Sequence, residues 1–234
     1  MTDVIRVGVS GAGGRVGTEL LNLIRLDPNF IPSCGVGNKS SGFEQNLVSF
    51  NQIIPSSIDI LIDFSTPEML EGALNYCLEN KIPLVSGTTG FSDKIHERLL
   101  NAGFQIPVLW SPNMSLGIAV MKNALKVFKA TKNFDYQIEE WHHRLKKDCP
   151  SGTAILLQNE LEKNIEKKCP PILALRGGGI FGVHKIYAIS DEEIIQFEHT
   201  AINRTVFARG AIVAARWLLS KKAGLYSMDD VIEN

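Results

Sequence analysis

The densest chemistry in the chain lies between Trp141 and Thr153, which read W-H-H-R-L-K-K-D-C-P-S-G-T. Two adjacent histidines, a cluster of basic side chains, an aspartate and a Pro-Ser-Gly-Thr turn fall within this single stretch. A buried strand does not carry that many ionisable groups, and a solvated loop has little use for the tryptophan. A histidine pair alone is more often a structural feature than a catalytic one, so its neighbours decide. Ala154, Leu157, Leu161 and Ile165 recur at helical spacing, which makes Ser151, Gly152 and Thr153 the first turn of a helix. Free N–H groups at that end, a glycine that allows close approach and two hydroxyls form a receptor for a carboxylate or phosphate. With Lys146 nearby and His142 and His143 ahead of the loop, the stretch suits a small anionic substrate that needs a proton during reaction.

A second signature is G-A-G-G-R-V-G from Gly11 to Gly17. It stands between the β-branched run Val4 to Ser10 and a helical stripe of Val16, Leu20, Leu23 and Ile24. Strand, glycine turn and helix in that order are the context a dinucleotide fingerprint requires. Gly11, Gly13 or Gly14, and Gly17 fill its three roles, and Arg15 points toward the expected phosphates. The ribose-recognition residue belongs about 20 positions later. There the chain offers Gly37, Asn38, Lys39, Ser40 and Ser41, with no acid among them. Without an acid to repel a 2′-phosphate, and with Lys39 to meet it, NADPH is expected to serve at least as well as NADH.

Further on, Ile58 to Phe64 reads as a central parallel strand. Gly42 to Ser57 is polar and weakly patterned, expected to be a loop with one short element. Pro83 to Ser86 and Ile106 to Trp110 are shorter strands. Each leads into a turn, Gly87-Thr88-Thr89-Gly90 after the first and Ser111-Pro112-Asn113-Met114 after the second. Loops at the carboxyl ends of such strands line the ligand crevice, which makes Thr88 and Thr89 candidate cofactor contacts. Ser115 to Ala130 is expected to be a connecting helix. Tyr136 to His142, Gly182 to Ser190 and Glu193 to Thr200 show strand patterning. Thr205 to Ser220 is read as a helix that packs back on the first domain, and Arg176-Gly177-Gly178-Gly179 as a flexible connection. The predicted architecture is α/β. A Rossmann-type dinucleotide-binding domain takes residues 1–114 and 205–234, and an α+β domain takes 115–204.

With 234 residues, 44% of them hydrophobic and 21% charged, the chain has the composition of an ordinary globular protein with a real core. A formal charge of -1 argues against nucleic acid as a partner. Cys34, Cys77, Cys149 and Cys169 show no C-x-x-C spacing, so neither a disulfide framework nor a metal centre is expected. Asp3 and Arg6 interrupt any signal-like start, and no apolar run approaches the length of a membrane span. Those features predict a cytoplasmic enzyme with no membrane partner.

These motifs resemble the dihydrodipicolinate reductase family. The likeness runs through G-A-G-G-R-V-G, D-F-S-T-P, G-T-T-G-F, S-P-N-M-S-L-G, E-E-W-H-H-R-L-K-K-D-C-P-S-G-T-A, F-A-R-G-A-I and G-L-Y-S-M-D-D-V, in order along the chain. It implies reduction of an unsaturated cyclic dicarboxylate by NADPH or NADH, with loss of water, in diaminopimelate and lysine biosynthesis. It also implies that residues 115–204 form a substrate-binding and oligomerisation domain of a homotetramer, with a cleft between the domains. By the same resemblance His142 is the catalytic acid/base, Lys146 a proton donor and His143 a substrate contact. Ser151, Gly152 and Thr153 hold a carboxylate. Gly11, Ala12, Gly13, Gly14, Arg15 and Val16, then Gly87, Thr88 and Thr89, then Ser111, Pro112, Asn113 and Met114, go to the cofactor. Three departures stand out: the segment around Gly42 to Ser57 is short for the family, the ribose acid is missing, and Val183 replaces an acid often found before His184.

Two other readings compete. Cys149 could serve as the nucleophile of an aldehyde dehydrogenase, but Pro150 follows it immediately and no partner is placed to make a thiolate. A dinucleotide sensor would explain the glycine turn, yet it would have no need of the histidines, the lysine and the anion-binding turn together.

Overall fold

The computed structural model describes residues 4–233, and residues 1–3 and 234 of the expected first domain lie outside it. The chain divides into two compact units, one comprising the described residues up to Ser115 together with those from Thr205, the other Leu116–Arg204.

The first unit begins with β1 (Ile5–Ser10), α1 (Arg15–Leu26) and β2 (Phe30–Val36), followed by a two-residue β3 (Asn46–Leu47). It continues through β4 (Ile60–Asp63), α2 (Pro67–Asn80), β5 (Leu84–Ser86), α3 (Asp93–Gly103) and β6 (Pro107–Trp110). The seven-stranded sheet runs β11-β6-β5-β4-β1-β2-β3, where β11 (Gly224–Tyr226) comes from the end of the chain. All of its strand pairs are parallel. Ile60, Leu61 and Ile62 are fully buried, as a strand covered on both faces requires. Helices α2 and α3 bury Leu70, Leu74, Ile95 and Leu99 in a cluster on one face. Helix α6 (Thr205–Leu218) packs against α1 and against β4, β5 and β6. The sheet order reverses direction between β1 and β4, the position at which doubly wound α/β sheets bind ligands.

The link between β2 and β4 departs from regular winding. Instead of a helix it holds β3 and two short 3-10 turns, Phe50–Gln52 and Pro55–Ser57. Side chains take over the helix's role. The Asn46 amide donates to Phe43 O at 2.7 Å, its Oδ1 accepts from Ser41 N at 2.9 Å, and the Phe43 side chain is buried.

The second unit contains α4 (Leu116–Ala124), β7 (Asp135–His142), α5 (Gly152–Ile165), β8 (Leu173–Arg176), β9 (Gly182–Ile189) and β10 (Ile194–Ala201). Its mixed sheet has the order β10-β9-β7-β8. β9 is antiparallel to both neighbours, while β8 is parallel to β7. The inner face puts Tyr136, Ile138, Ile186 and Ala188 against Leu157, Leu161 and Ile165 of α5. The helix expected over Ser115 to Ala130 is shorter, because Leu125–Thr131 tightens into a 3-10 turn. Side chains three apart align on a 3-10 turn, and Leu125 and Phe128 are both buried there. Among the described residues, no helix is long and apolar enough to cross a membrane. The short α7 (Met228–Ile232) ends the described chain.

Candidate active site

In the first unit, the glycine turn is shaped by its neighbours. Gly11 takes φ 75°, and a Cβ there would collide with the carbonyl oxygen of Phe64. A Cβ on Gly13 would come within 2.6 Å of Lys39 Cβ and 2.7 Å of Lys39 O, so the turn and the ribose loop pack backbone to backbone. Ala12 is buried, whereas Gly14 stands as the N-cap of α1 with Arg15, exposed, and Val16 following it in the first turn. The N–H groups of that first turn have no partner within the helix.

A cavity of about 280 Å³ opens beside this turn. Its lining brings Gly11, Gly13 and Gly14 together with Asn38 and Lys39, and adds Phe64, Ser65, Thr66 and Met69. The sequence reading missed those last four, although Phe64, Ser65 and Thr66 directly follow the central strand and Met69 lies in the first turn of α2. Ser41 does not line this cavity, and its hydroxyl is tied to Asn46.

Beneath the loops lies a carboxyl group the sequence reading also passed over. Asp63, at the end of β4, is fully buried, and the hydroxyls of Ser65, Ser86 (2.8 Å) and Thr88 (2.7 Å) donate to it. Burial pushes its pKa up, and those donors work against the rise. Thr88 also accepts from Ser65 N at 2.9 Å, and Thr88 O accepts from the Trp110 indole at 3.0 Å. The Thr88 hydroxyl is therefore spent inside the protein, while Thr89 is exposed. Gly87 packs against the Phe64 ring. At the next strand end, the Ser111 hydroxyl donates to Asn113 O at 2.8 Å and Asn113 Oδ1 accepts from Ser115 N at 2.8 Å. Met114 is buried below and Pro112 is exposed.

In the second unit, alternation along β7 turns Glu140 and His142 to the inner face. Glu140 is fully buried with both oxygens occupied. Oε2 accepts from His142 Nδ1 at 2.5 Å and from Arg176 at 2.9 Å; Oε1 accepts from Ser151 N at 3.1 Å and from Arg176 at 2.6 Å. Burial pushes the Glu140 pKa up, but the Arg176 guanidinium, the His142 ring and the Ser151 N–H together outweigh it and hold the group below the ordinary glutamate range. An ionised carboxylate has no proton to give, so His142 Nδ1 carries one. Burial lowers the His142 pKa, the pull of Glu140 does not restore it, and the nearby Lys146 and Arg176 charges depress it further. The ring is neutral at pH 7, with Nε2 as its lone-pair nitrogen.

Arg176, expected in a flexible connection, instead ends β8 and donates also to Asp148 O at 2.8 Å. Four residues of strand beside three glycines gave too little pattern to find it. His184 was passed over as well. It is buried, lies edge-on to His142 with ring centres 5.3 Å apart, and has Nε2 3.3 Å from Ser151 Oγ. Burial, then the His142 and His199 charges, push its pKa down to about 3.

Ser151 caps α5 by accepting from Ala154 N at 3.2 Å, and Gly152 and Thr153 open the helix as expected. A Cβ at Gly152 would meet nothing within 4 Å. Lys146 Nζ pairs with Asp148 at 2.8 Å, and its backbone N–H bonds His143 O at 3.0 Å, which folds the loop back on itself. Cys149 is exposed and forms no disulfide.

The matches to known proteins run the length of the chain. A family model described as "Dihydrodipicolinate reductase, N-terminus" matches residues 5–114, and one described as "Dihydrodipicolinate reductase, C-terminus" matches residues 114–232. The 4-hydroxy-tetrahydrodipicolinate reductase of Bdellovibrio bacteriovorus is 50% identical over 232 residues, covering 97% of this chain and 96% of that one. Its namesake from Campylobacter lari is 35% identical over 249 residues, covering 98% and 99%. A solved structure, dipicolinate-bound dihydrodipicolinate reductase from Paenisporosarcina sp. TG-14, shares the fold at a TM-score of 0.83 with 22% identity, over 97% of this chain and 99% of that one. With both family models matched in order and half of all residues shared with a relative of equal length, the chain belongs to the dihydrodipicolinate reductase family.

Proposed function

We propose that the protein reduces 4-hydroxy-tetrahydrodipicolinate to tetrahydrodipicolinate, with NADPH or NADH as reductant, in the diaminopimelate route to lysine. A bound reduced nicotinamide supplies the hydride. The protein's own residues supply a proton and hold two carboxylates while the ring loses its hydroxyl as water. The observation that carries this reading is His142, neutral, fixed through Nδ1, with Nε2 open and the Lys146 cation close by. Lys146 donates the proton, and His142 works as acid and base through Nε2. His143, Ser151, Gly152 and Thr153 take the substrate, its carboxylate resting on the N-terminus of α5.

Residues 4–114 and 205–233 act as the dinucleotide-binding domain. Gly14, Arg15 and Val16 receive the pyrophosphate at the α1 N-terminus. Gly11, Ala12 and Gly13 shape the turn, Asn38 and Lys39 face the ribose, and Gly87, Thr88, Thr89, Ser111, Pro112, Asn113 and Met114 form the rim toward the nicotinamide. The glycine cradle beside an open helix end supports this fit. No acid lines the cavity among the residues of the ribose loop, and Lys39 does, which favours NADPH at least as much as NADH. Residues 115–204 bind substrate and assemble four copies, supported by the exposed Leu173, Leu175 and Ile194 on the outer face of their sheet. Reduced cysteines and a soluble metabolite as substrate suit the cytoplasm.

The test is oxidation of NADPH and of NADH in the presence of 4-hydroxy-tetrahydrodipicolinate. His142→Gln and Lys146→Met should each lower kcat by about 100-fold or more while leaving KM for the dinucleotide nearly unchanged, and their losses should not add. Wild-type turnover in the double variant would remove both residues from the mechanism.

A further inference from the structure

We infer that Glu140 is the positioning residue of this site: one buried carboxylate that fixes the His142 tautomer and, through the same group, ties the base to the anion-binding turn at Ser151. The inference rests on the proposed role of His142 and extends it. Each oxygen of Glu140 has two donors. His142 and one Arg176 nitrogen meet Oε2, while Ser151 N and the other Arg176 nitrogen meet Oε1. A fully buried carboxylate saturated in this way cannot rotate without breaking several bonds. The bidentate fork of Arg176 also keeps the charge in place, as a lysine could not.

The consequence for chemistry follows from the ring. Nδ1 must be the protonated nitrogen, because its partner accepts only. Nε2 is then left as the single nitrogen able to exchange a proton with substrate, and it makes no hydrogen bond to any described residue. The ring lies over Gly182, where a Cβ would stand 3.2 Å from Nε2, so a larger residue there would crowd the working atom. Because Oε1 holds the Ser151 N–H, a shift of this carboxylate would move the base and the head of α5 together. Arg176 adds a third tie through Asp148 O, in the loop that carries Lys146.

The decisive variant is Glu140→Gln. Its amide nitrogen must face either the His142 ring or the Ser151–Arg176 side, and facing the ring it donates to Nδ1 and moves the ring proton to Nε2. The expected result is a kcat lower by about 100-fold or more, an unchanged Kd for NADPH, and an acid limb of kcat/KM displaced to lower pH, since the Glu140 charge supports His142 protonation. Nitrogen-15 NMR of histidine-labelled protein should report Nδ1–H for His142 in the wild type and Nε2–H in the variant. A purely structural carboxylate would move neither the limb nor the tautomer. If Glu140→Gln does not fold, Arg176→Lys takes its place: with a single donor nitrogen in place of a two-nitrogen fork, kcat should fall about 10-fold with a mixed tautomer. A folded Glu140→Gln with wild-type kcat and Nδ1–H, or an Arg176→Lys with both unchanged, overturns the inference. His142→Gln separates the two levels. If it keeps full turnover, the reading of the site itself fails; if it is inactive while Glu140→Gln is fully active, only the positioning role fails.

Discussion

Among single residues, His184 is one whose burial has a direct consequence for pH. It accepts a proton only near pH 3 in the folded protein but near 6.5 when exposed. Between those values the unfolded chain binds the extra proton, so stability is full above about 6.5 and falls as pH drops toward 3. At about 1.4 kcal/mol per unit, the shift is worth several kcal/mol, shared with the neighbouring His142, which titrates in the same direction. His184→Gln should therefore flatten the loss of thermal stability between about pH 7 and pH 5. An identical slope in variant and wild type would show that other groups govern acid unfolding. Ser151 gains from the same neutral ring: if Nε2–H donates to its oxygen, the Ser151 hydroxyl proton is free for a substrate carboxylate. None of this was visible in the sequence, because His184 stands far along the chain from Ser151 and reaches it only by pairing opposite Glu140, which holds the Ser151 N–H.

At the level of the element, the head of α5 was legible and the partners that hold it were not. Ser151-Gly152-Thr153 and the apolar spacing behind them are local features, so sequence placed the helix start correctly. The glycine turn was equally legible, since strand, turn and helix are contiguous. Glu140 and Arg176 belong to different strands, and only the register of β7 against β8, with His142 opposite Arg176, brings them together. The space at Gly152 gives a direct test of the helix head. Nothing approaches its Cβ position, so the fold does not need a glycine there. Gly152→Val should cost little stability, yet lower affinity for pyridine-2,6-dicarboxylate by about 10-fold or more, because the side chain would cover N–H groups that receive the anion. Calorimetry giving equal affinity would remove the carboxylate from this helix end. The ribose loop makes a parallel case. Gly13 packs on the backbone of Lys39, so the loop is held while the Lys39 side chain is exposed at the cavity. Lys39→Glu should raise KM for NADPH and leave that for NADH nearly unchanged. The effect should be modest and shrink with salt, as expected of an exposed lysine worth about 1 kcal/mol. A wild-type kcat/KM favouring NADH about tenfold at low salt would mean that this loop does not choose the cofactor.

For the whole molecule, the question is what covers the second unit's sheet. Its inner face is closed by α5 and the turn after α4. Alternation sends Ile195 and Phe197 inward, but the outer face keeps large apolar groups of its own. Leu173, Leu175 and Ile194 are 54%, 43% and 65% exposed, and Trp141 lies on the same face under the Lys185 ammonium. β10 and β8 are also the open edges of the sheet. Exposed aliphatic side chains of this kind favour association, because each one withdrawn from water contributes roughly 1.5–3 kcal/mol when fully buried. The partner proposed is a second copy of this chain, with a closed set of four covering the outer face and the edges. Light scattering at micromolar concentration should report a tetramer, and the pair Leu173→Glu with Ile194→Lys should shift it toward smaller species while the far-ultraviolet spectrum holds. Neither change touches the inner face or the Glu140 cluster, so loss of assembly should leave NADPH affinity intact. A wild-type monomer at that concentration would mean that the outer face is covered by something other than this chain.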